Sequence, residues 1–144
     1  MTDGYNLYRF LSAQEPVYDT VLDELRAGRK SSHWIWFIFP QITGLGRSAM
    51  AQKFAIGSLN EAKAYLKHPV LGPRLRECTQ LVLDVNGRSA KEILGYPDDL
   101  KFRSCMTLFL TAATDNTLFN SALLKYFDGK PDQMTLDILA QQSF

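Results

Sequence analysis

Apolar residues recur at helical spacing along most of this chain, and that pattern constrains its fold more than any other feature. Val17, Val21 and Leu25, for example, fall on one face of a helix. Capping residues open such segments, as in the capping box at 89–92, and glycine closes them, as Gly95 does. The pattern predicts a mainly α, compact fold of about six to eight helices.

The length of 144 residues suits one domain, which we place over 1–144. The composition is that of an ordinary globular protein, and a formal net charge of +1 gives no overall field to attract nucleic acid. The chain begins without a secretory pattern, and no apolar run approaches the roughly 20 residues that span a bilayer. We therefore expect a cytoplasmic protein with no membrane partner and no general nucleic-acid binding. Nothing in the sequence indicates an oligomeric state.

The two cysteines, Cys78 and Cys105, are far apart, and each falls within an apolar helical pattern. This favours buried free thiols over a disulfide or a metal pair. His, Cys and carboxylate residues form no cluster at metal-ligand spacing, and the chain has no Gly-x-Ser-x-Gly motif. We expect neither a metal nor a cofactor.

Both tryptophans lie in the apolar run 34–39, which ends at Pro40. Such a run suits a buried strand or extended segment, and periodicity alone does not separate that structure from a buried helical turn. An extended run would place Trp34 and Trp36 on one face, where they could stack a ligand. The alternative, favoured for so apolar a run, is that all of these residues belong to the core.

Polar and glycine residues flank this run. His33 offers an imidazole, Gln41 offers both a donor and an acceptor, and glycines let a backbone approach a ligand closely. Ser48 is a candidate N-cap for a helix over 49–56, where an anion would meet free amides and Arg47, although simple capping is the favoured interpretation. The candidate ligand-binding residues of the stretch are His33, Trp34, Trp36, Gln41, Gly44, Gly46, Arg47 and Ser48.

Two further charged segments have alternative interpretations. Arg26, Arg29 and Lys30 follow a helix and suit a solvated helix end, or the cationic rim of a pocket. Asp99 and Arg103 have the spacing of a surface ion pair in the first turns of another helix. The alternative makes Asp99 a general acid or base and Lys101 its electrostatic or nucleophilic partner.

Several segments of the chain resemble those of a bacterial family of unknown function whose members often carry the name calpastatin. The matching segments are 32–41, Gly44-Leu45-Gly46 with Ser48, Glu61-Ala62, 64–66, 68–72, Pro97-Asp98-Asp99 with Lys101, and 104–109. Ser104, from the last of these, joins the candidate ligand-binding residues. Calpastatin acts through disordered repeats, whereas this chain is compact and free of repeats, so we reject that name as a function.

A more distant similarity connects the chain with the NADAR (YbiA-like) proteins. It consists of the runs Gln52-Lys53-Phe54 and Glu61-Ala62-Lys63, followed by Met106 in a late helix. This resemblance implies a mostly helical fold and N-glycosidic chemistry on ADP-ribose or riboside-type substrates. The glutamate-histidine pair that precedes the first run in NADAR proteins is absent here, where 48–51 reads Ser-Ala-Met-Ala.

These observations leave three functional hypotheses. In the first, the domain hydrolyses an N-glycosidic bond of an ADP-ribose or nucleotide-like molecule: the tryptophans stack it, Arg47 and Ser48 hold phosphate, and Asp99 or Lys101 performs catalysis. In the second, a pocket built from the same residues binds a small nucleotide-like metabolite without catalysing a reaction. In the third, exposed tryptophans make the chain a protein-interaction domain.

Overall fold

The computed structural model describes residues 4–142, so residues 1–3 and 143–144 of the expected domain lie outside the described part. The predicted mainly α fold is confirmed, but these residues form ten helices, more than expected. The helices are α1 (Tyr8–Gln14), α2 (Tyr18–Arg26), α3 (Ile35–Ile38), α4 (Ala49–Lys53), α5 (Leu59–Lys67), α6 (Leu71–Asp84), α7 (Ala90–Leu94), α8 (Asp98–Ala112), α9 (Thr117–Phe127) and α10 (Gln133–Gln141). Within 4–142, no helix has the length and apolarity needed to span a membrane.

Side-chain caps explain where several helices begin. Ser48 accepts a hydrogen bond from the amide of Ala51 at the start of α4, and Ser89 forms the predicted capping box with Glu92 at the start of α7. The segment Ser58-Leu59-Asn60-Glu61 has the sequence of a capping box, but the box at the start of α5 is only half formed. Ser58 accepts from the amide of Glu61, but the Glu61 carboxylate itself turns to other partners.

Glu61 binds a residue from a distant part of the chain. Its Oε2 lies 2.8 Å from Nη2 of Arg9, and its Oε1 accepts a hydrogen bond from the amide of Gly57. A buried carboxylate gains more from a guanidinium partner than from its own helix start. This contact ties α1 to the start of α5.

The apolar run 34–39 forms a helical turn, so its extended interpretation is wrong. Ile38 and Phe39 donate backbone hydrogen bonds to the carbonyls of Trp34 and Ile35. A buried lone strand would leave such groups without partners, whereas a helical turn satisfies them locally. All residues of the run except Trp36 are buried, which agrees with the core interpretation.

The core is organised around α8, which packs against α3, α5, α7, α9 and α10. Its residues Phe102, Cys105, Met106 and Phe109 are fully buried. Both cysteines are free and buried, as predicted. Because α3 packs against the side of α8 and α7 leads into its start, the aromatic run and the Asp98–Lys101 turn come together.

Candidate functional site

The glycine-rich segment after the aromatic run closes on itself. Its ends meet at a parallel β-bridge between Ile42 and Ile56, where the amide of Thr43 donates to the Ile56 carbonyl at 2.8 Å and the Ile56 amide donates to the Gln41 carbonyl at 2.8 Å. The bridge explains why α4 ends at Lys53, although the sequence predicted a helix to Ile56. We call 41–56 the closed loop.

A cavity of about 380 Å³ lies within the closed loop. Its lining consists of Gln41, Ile42, Thr43, Gly44, Gly46, Ala51, Gln52 and Ala55. The predicted ligand-binding residues Gln41, Gly44 and Gly46 therefore share one cavity. No charged side chain lines it, so its surface suits a neutral, hydrogen-bonding group.

The backbone geometry of the closed loop requires its two glycines, and the side-chain amide of Gln41 is left without a partner among the described residues. Gly44 has a φ of 97°, a conformation that other residues rarely adopt, and a Cβ on Gly46 would lie 2.6 Å from Cβ of Ala51. Gln52 donates from Nε2 to the Arg47 carbonyl at 2.8 Å. The Gln41 side chain forms no hydrogen bond with any part of the chain that the structure describes.

The segment that leads into the aromatic run is held by Glu24 of α2, a buried residue that sequence reasoning missed. Its carboxylate accepts hydrogen bonds from the amides of Ser31 and Ser32, from the Ser32 hydroxyl, and from Nε1 of Trp34 at 2.9 Å. Burial by itself raises the pKa of Glu24, but these hydrogen bonds outweigh it and lower the pKa to about 2. The Trp34 indole is thus fixed, and it is only 1% exposed.

Lys30 corrects the expectation of a solvated helix end. Its Nζ lies 2.8 Å from Oδ2 of Asp98 and 5.1 Å from the ring centroid of Trp34, and its side chain is only 7% exposed. Arg26 and Arg29 are exposed, as expected. Lys30 differs because its backbone amide donates to the carbonyl of Ile93 in α7, the helix that leads into α8. This hydrogen bond directs the chain at Lys30 inward.

Lys101 lies against the second tryptophan. Its Nζ is 5.1 Å from the ring centroid of Trp36 and 3.7 Å from Oδ1 of Asp98. One carboxylate, that of Asp98, therefore serves both Lys30 and Lys101. We call Lys30, Trp34, Trp36, Asp98 and Lys101 the tryptophan–lysine cluster. The spacing of Asp98 and Lys101, three residues apart on a helix, was the available signal for this pairing.

Asp99 does not form the predicted ion pair. Arg103 instead donates to the carbonyls of Lys130 at 2.9 Å and Pro131 at 3.2 Å. Oδ1 of Asp99 and Nε1 of Trp36 are buried, and neither has a hydrogen-bond partner in the described residues. Buried polar atoms are usually paired, so these two are candidates for contact with a ligand.

The other predicted residues have separate environments. Ser104 donates to the Leu100 carbonyl and to Oδ2 of Asp132, both at 3.1 Å, so it joins α8 to the start of α10. His33, Arg47 and Ser48 are exposed, and Ser48 caps α4. Trp34 is buried and Trp36 is partly exposed, so only Trp36 could contribute to the exposed surface on which the protein-interaction hypothesis rests. Among the residues described, no group of three or more His, Cys, Asp and Glu side chains could hold a metal ion.

A family model described as "Protein of unknown function (DUF1810)" matches residues 4–139. The chain belongs to the DUF1810 family. Its structure is similar to the crystal structure of the conserved hypothetical protein Rv1873 from Mycobacterium tuberculosis, with 55% identity and a TM-score of 0.95. That match covers 96% of this chain and 99% of the other chain. No curated protein matches the sequence.

Six of the predicted site residues of this DUF1810 chain fall into two groups. Gln41, Gly44 and Gly46 belong to the closed-loop cavity, whereas Trp34, Trp36 and Lys101 belong to the tryptophan–lysine cluster and do not line that cavity. The family comparison supports an uncharacterised domain family. It supports neither the calpastatin name nor the NADAR relationship.

Proposed function

We propose that the protein binds a nucleotide-like small molecule, with its base and sugar in the closed-loop cavity. The observation that carries this proposal is that Gln41, Gly44 and Gly46, chosen from the sequence for ligand chemistry, line one cavity of about 380 Å³. Ligand pockets for small molecules fall in this range of volumes. Gln52, from the run that resembles NADAR proteins, also lines it.

The chemistry of the lining favours a base over an anion. A free carboxamide such as that of Gln41 presents a donor and an acceptor in one plane, which matches the N6 and N7 edge of adenine. The cavity lining is uncharged, so a phosphate has no counter-charge inside it. Arg47 is exposed in the same loop and forms no ion pair within 4–142, so it is available to a phosphate outside the cavity.

Calorimetric titration of ADP-ribose and of adenosine tests this proposal. Gln41→Ala removes both base contacts, and we expect at least a tenfold weaker Kd for both compounds, about 1.4 kcal/mol. Gln133→Ala is the matched control, because Gln133 is exposed and its side-chain amide donates only to the exposed Asp137 carboxylate. The control should stay within about twofold of the parent protein. Equal affinity of both variants for ADP-ribose would contradict the proposal.

A catalytic role for Asp99, which follows Asp98 of the tryptophan–lysine cluster in the chain, is the second candidate, and its unpaired Oδ1 is the observation that favours it. In this scheme Asp99 accepts a proton from water as the water oxygen bonds to the anomeric carbon. The C–N bond breaks, its electron pair leaves with the base, and the Lys101 ammonium donates a hydrogen bond to that base. Trp36 would stack the ligand, and the reaction is the N-glycosidic hydrolysis that the NADAR resemblance implies.

Chromatography of the base released from ADP-ribose or NAD tests the catalytic role. Asp99→Asn should abolish release while the Kd changes by less than about threefold, because the amide cannot accept the proton but keeps the shape. Asp19→Asn, an exposed position on α2, should release base at the parent rate. If the parent protein binds the ligand but releases no nucleobase, binding is its only function and the catalytic role is excluded. Full release by Asp99→Asn would exclude Asp99 as the general base.

A further inference from the structure

A basic groove lies apart from both groups of candidate residues. The end of α5, the middle of α6 and the segment between α8 and α9 enclose a volume of about 330 Å³. The charged side chains that line it are Lys63, Lys67, Arg76 and Asp115. Three cations therefore face one carboxylate across a confined space.

One acid offsets part of the positive charge of this groove: hydrogen bonds from Thr117 and the charge of Arg76 lower the pKa of the Asp115 carboxyl. Within the described residues, Lys63, Lys67 and Arg76 form no ion pair at 4.0 Å or less, whereas Arg9, Lys30, Arg74 and Lys101 each have a carboxylate partner. The Asp115 carboxylate is already engaged by the amide and hydroxyl of Thr117, at 3.1 and 2.8 Å. Three of the 16 lysine and arginine side chains of the chain therefore line one groove beside a single carboxylate.

Arg76 connects the groove to a second cavity of about 380 Å³, which Thr117 and Leu118 also line. These two residues form the start of α9, where the Asp115 carboxylate already binds the amide of Thr117, and the amide of Leu118 carries partial positive charge. The N-cap residue, Asn116, makes no side-chain cap, because its side-chain carboxamide donates from Nδ2 to the Leu110 carbonyl. The Arg76 guanidinium lies 5.4 Å from the ring centroid of Phe119, a contact that holds it at the junction.

We infer that Lys63, Lys67 and Arg76 form a binding site for a small phosphorylated metabolite. A guanidinium with two ammonium groups suits the closely spaced charges of one or two phosphate groups. Nucleic acid is disfavoured as the ligand, because duplex binders typically neutralise about six to ten phosphates along an extended surface. The site does not depend on the closed-loop cavity, so it stands or falls separately from the proposed function.

Calorimetry with inorganic pyrophosphate tests this site, because the probe has no base to enter the closed loop. The triple variant Lys63→Gln, Lys67→Gln, Arg76→Gln should bind at least tenfold more weakly than the parent protein. The control variant Arg29→Gln, Lys91→Gln, Lys130→Gln removes three exposed cations elsewhere and should stay within about twofold. All of these positions but Arg76 are exposed.

A pyrophosphate titration of the ¹⁵N-labelled parent protein adds a test that needs no variant. The amides of Lys63, Lys67, Thr117 and Leu118 should show the largest shift changes. Three results would overturn the inference: no saturable shifts, equal losses in the two triple variants, or a short DNA duplex that binds through the groove more tightly than pyrophosphate does.

Discussion

Glu24→Gln should destabilise the protein by about 3 kcal/mol at neutral pH and leave the fold intact. The carboxylate holds the segment before α3 through hydrogen bonds from Ser31, Ser32 and Trp34. The fall of its pKa from the ordinary 4.5 to about 2 corresponds to a contribution of that size. A neutral carboxamide keeps the shape but loses the charge that strengthens these bonds.

The pH dependence gives the sign of this effect. Since folding lowers the pKa of Glu24, the carboxylate stabilises the protein fully above about pH 4.5, and this contribution is lost as the pH falls towards 2. The glutamine variant has no such titration. The difference in unfolding free energy between the parent protein and Glu24→Gln should therefore be constant near neutrality and shrink steadily below pH 4.5.

Urea unfolding followed by tryptophan fluorescence measures this difference, and at pH 7 we expect a fall in Tm of roughly 10 °C alongside it. The control is Asp19→Asn, which replaces a carboxylate by a carboxamide on the exposed face of the same helix. It should change stability by less than about 0.5 kcal/mol. A pH-independent difference, or a loss below about 1 kcal/mol, would refute the role given to Glu24.

Three further predictions concern the scaffold. Gly72→Ala should lower the free energy of unfolding in urea by about 2 to 3 kcal/mol, because the new Cβ would lie 2.1 Å from the backbone oxygen of Leu66. The control is Gly57→Ala, whose Cβ would make only an ordinary 3.4 Å contact with Oε1 of Glu61, and it should cost less than about 1 kcal/mol. Burial raises the pKa of the Cys78 thiol to about 12, so it should resist a disulfide reagent at pH 8 until urea unfolds the protein; prompt reaction of Cys78 in the native state would contradict this. His68 accepts hydrogen bonds at Nδ1 from the first amides of α6, so His68→Ala should cost about 1 kcal/mol and His68→Asn should restore most of it; equal losses would exclude the cap.

The sequence predicted the helices well where apolar and polar residues alternate at helical spacing. It did not distinguish a strand from a helical turn at 34–39, since a run without polar residues shows no alternation from which a buried face can be identified. The sequence of 58–61 predicts a full capping box, but only the Ser58 half forms, because the competing partner of Glu61 is Arg9, 52 residues away. Local patterns carry no information about such distant partners.

The candidate site shows the same division. Gln41, Gly44 and Gly46, which are close in sequence, line one cavity because the short segment that contains them closes on itself, and their role in ligand binding stays a prediction. Lys30 and Asp98 were not predictable from the sequence, because their ion pair joins the end of α2 to the start of α8. The sequence pointed to Asp99 and Lys101, but only the fold shows that Lys101 shares Asp98 with Lys30.

A crystal structure of the protein soaked with ADP-ribose would show whether the closed loop is the nucleotide site. We predict that the adenine base lies in the closed-loop cavity, with the carboxamide of Gln41 within hydrogen-bond distance of its N6 and N7 edge. Adenine density outside the closed loop, or an empty closed loop at saturating ADP-ribose, would contradict this assignment.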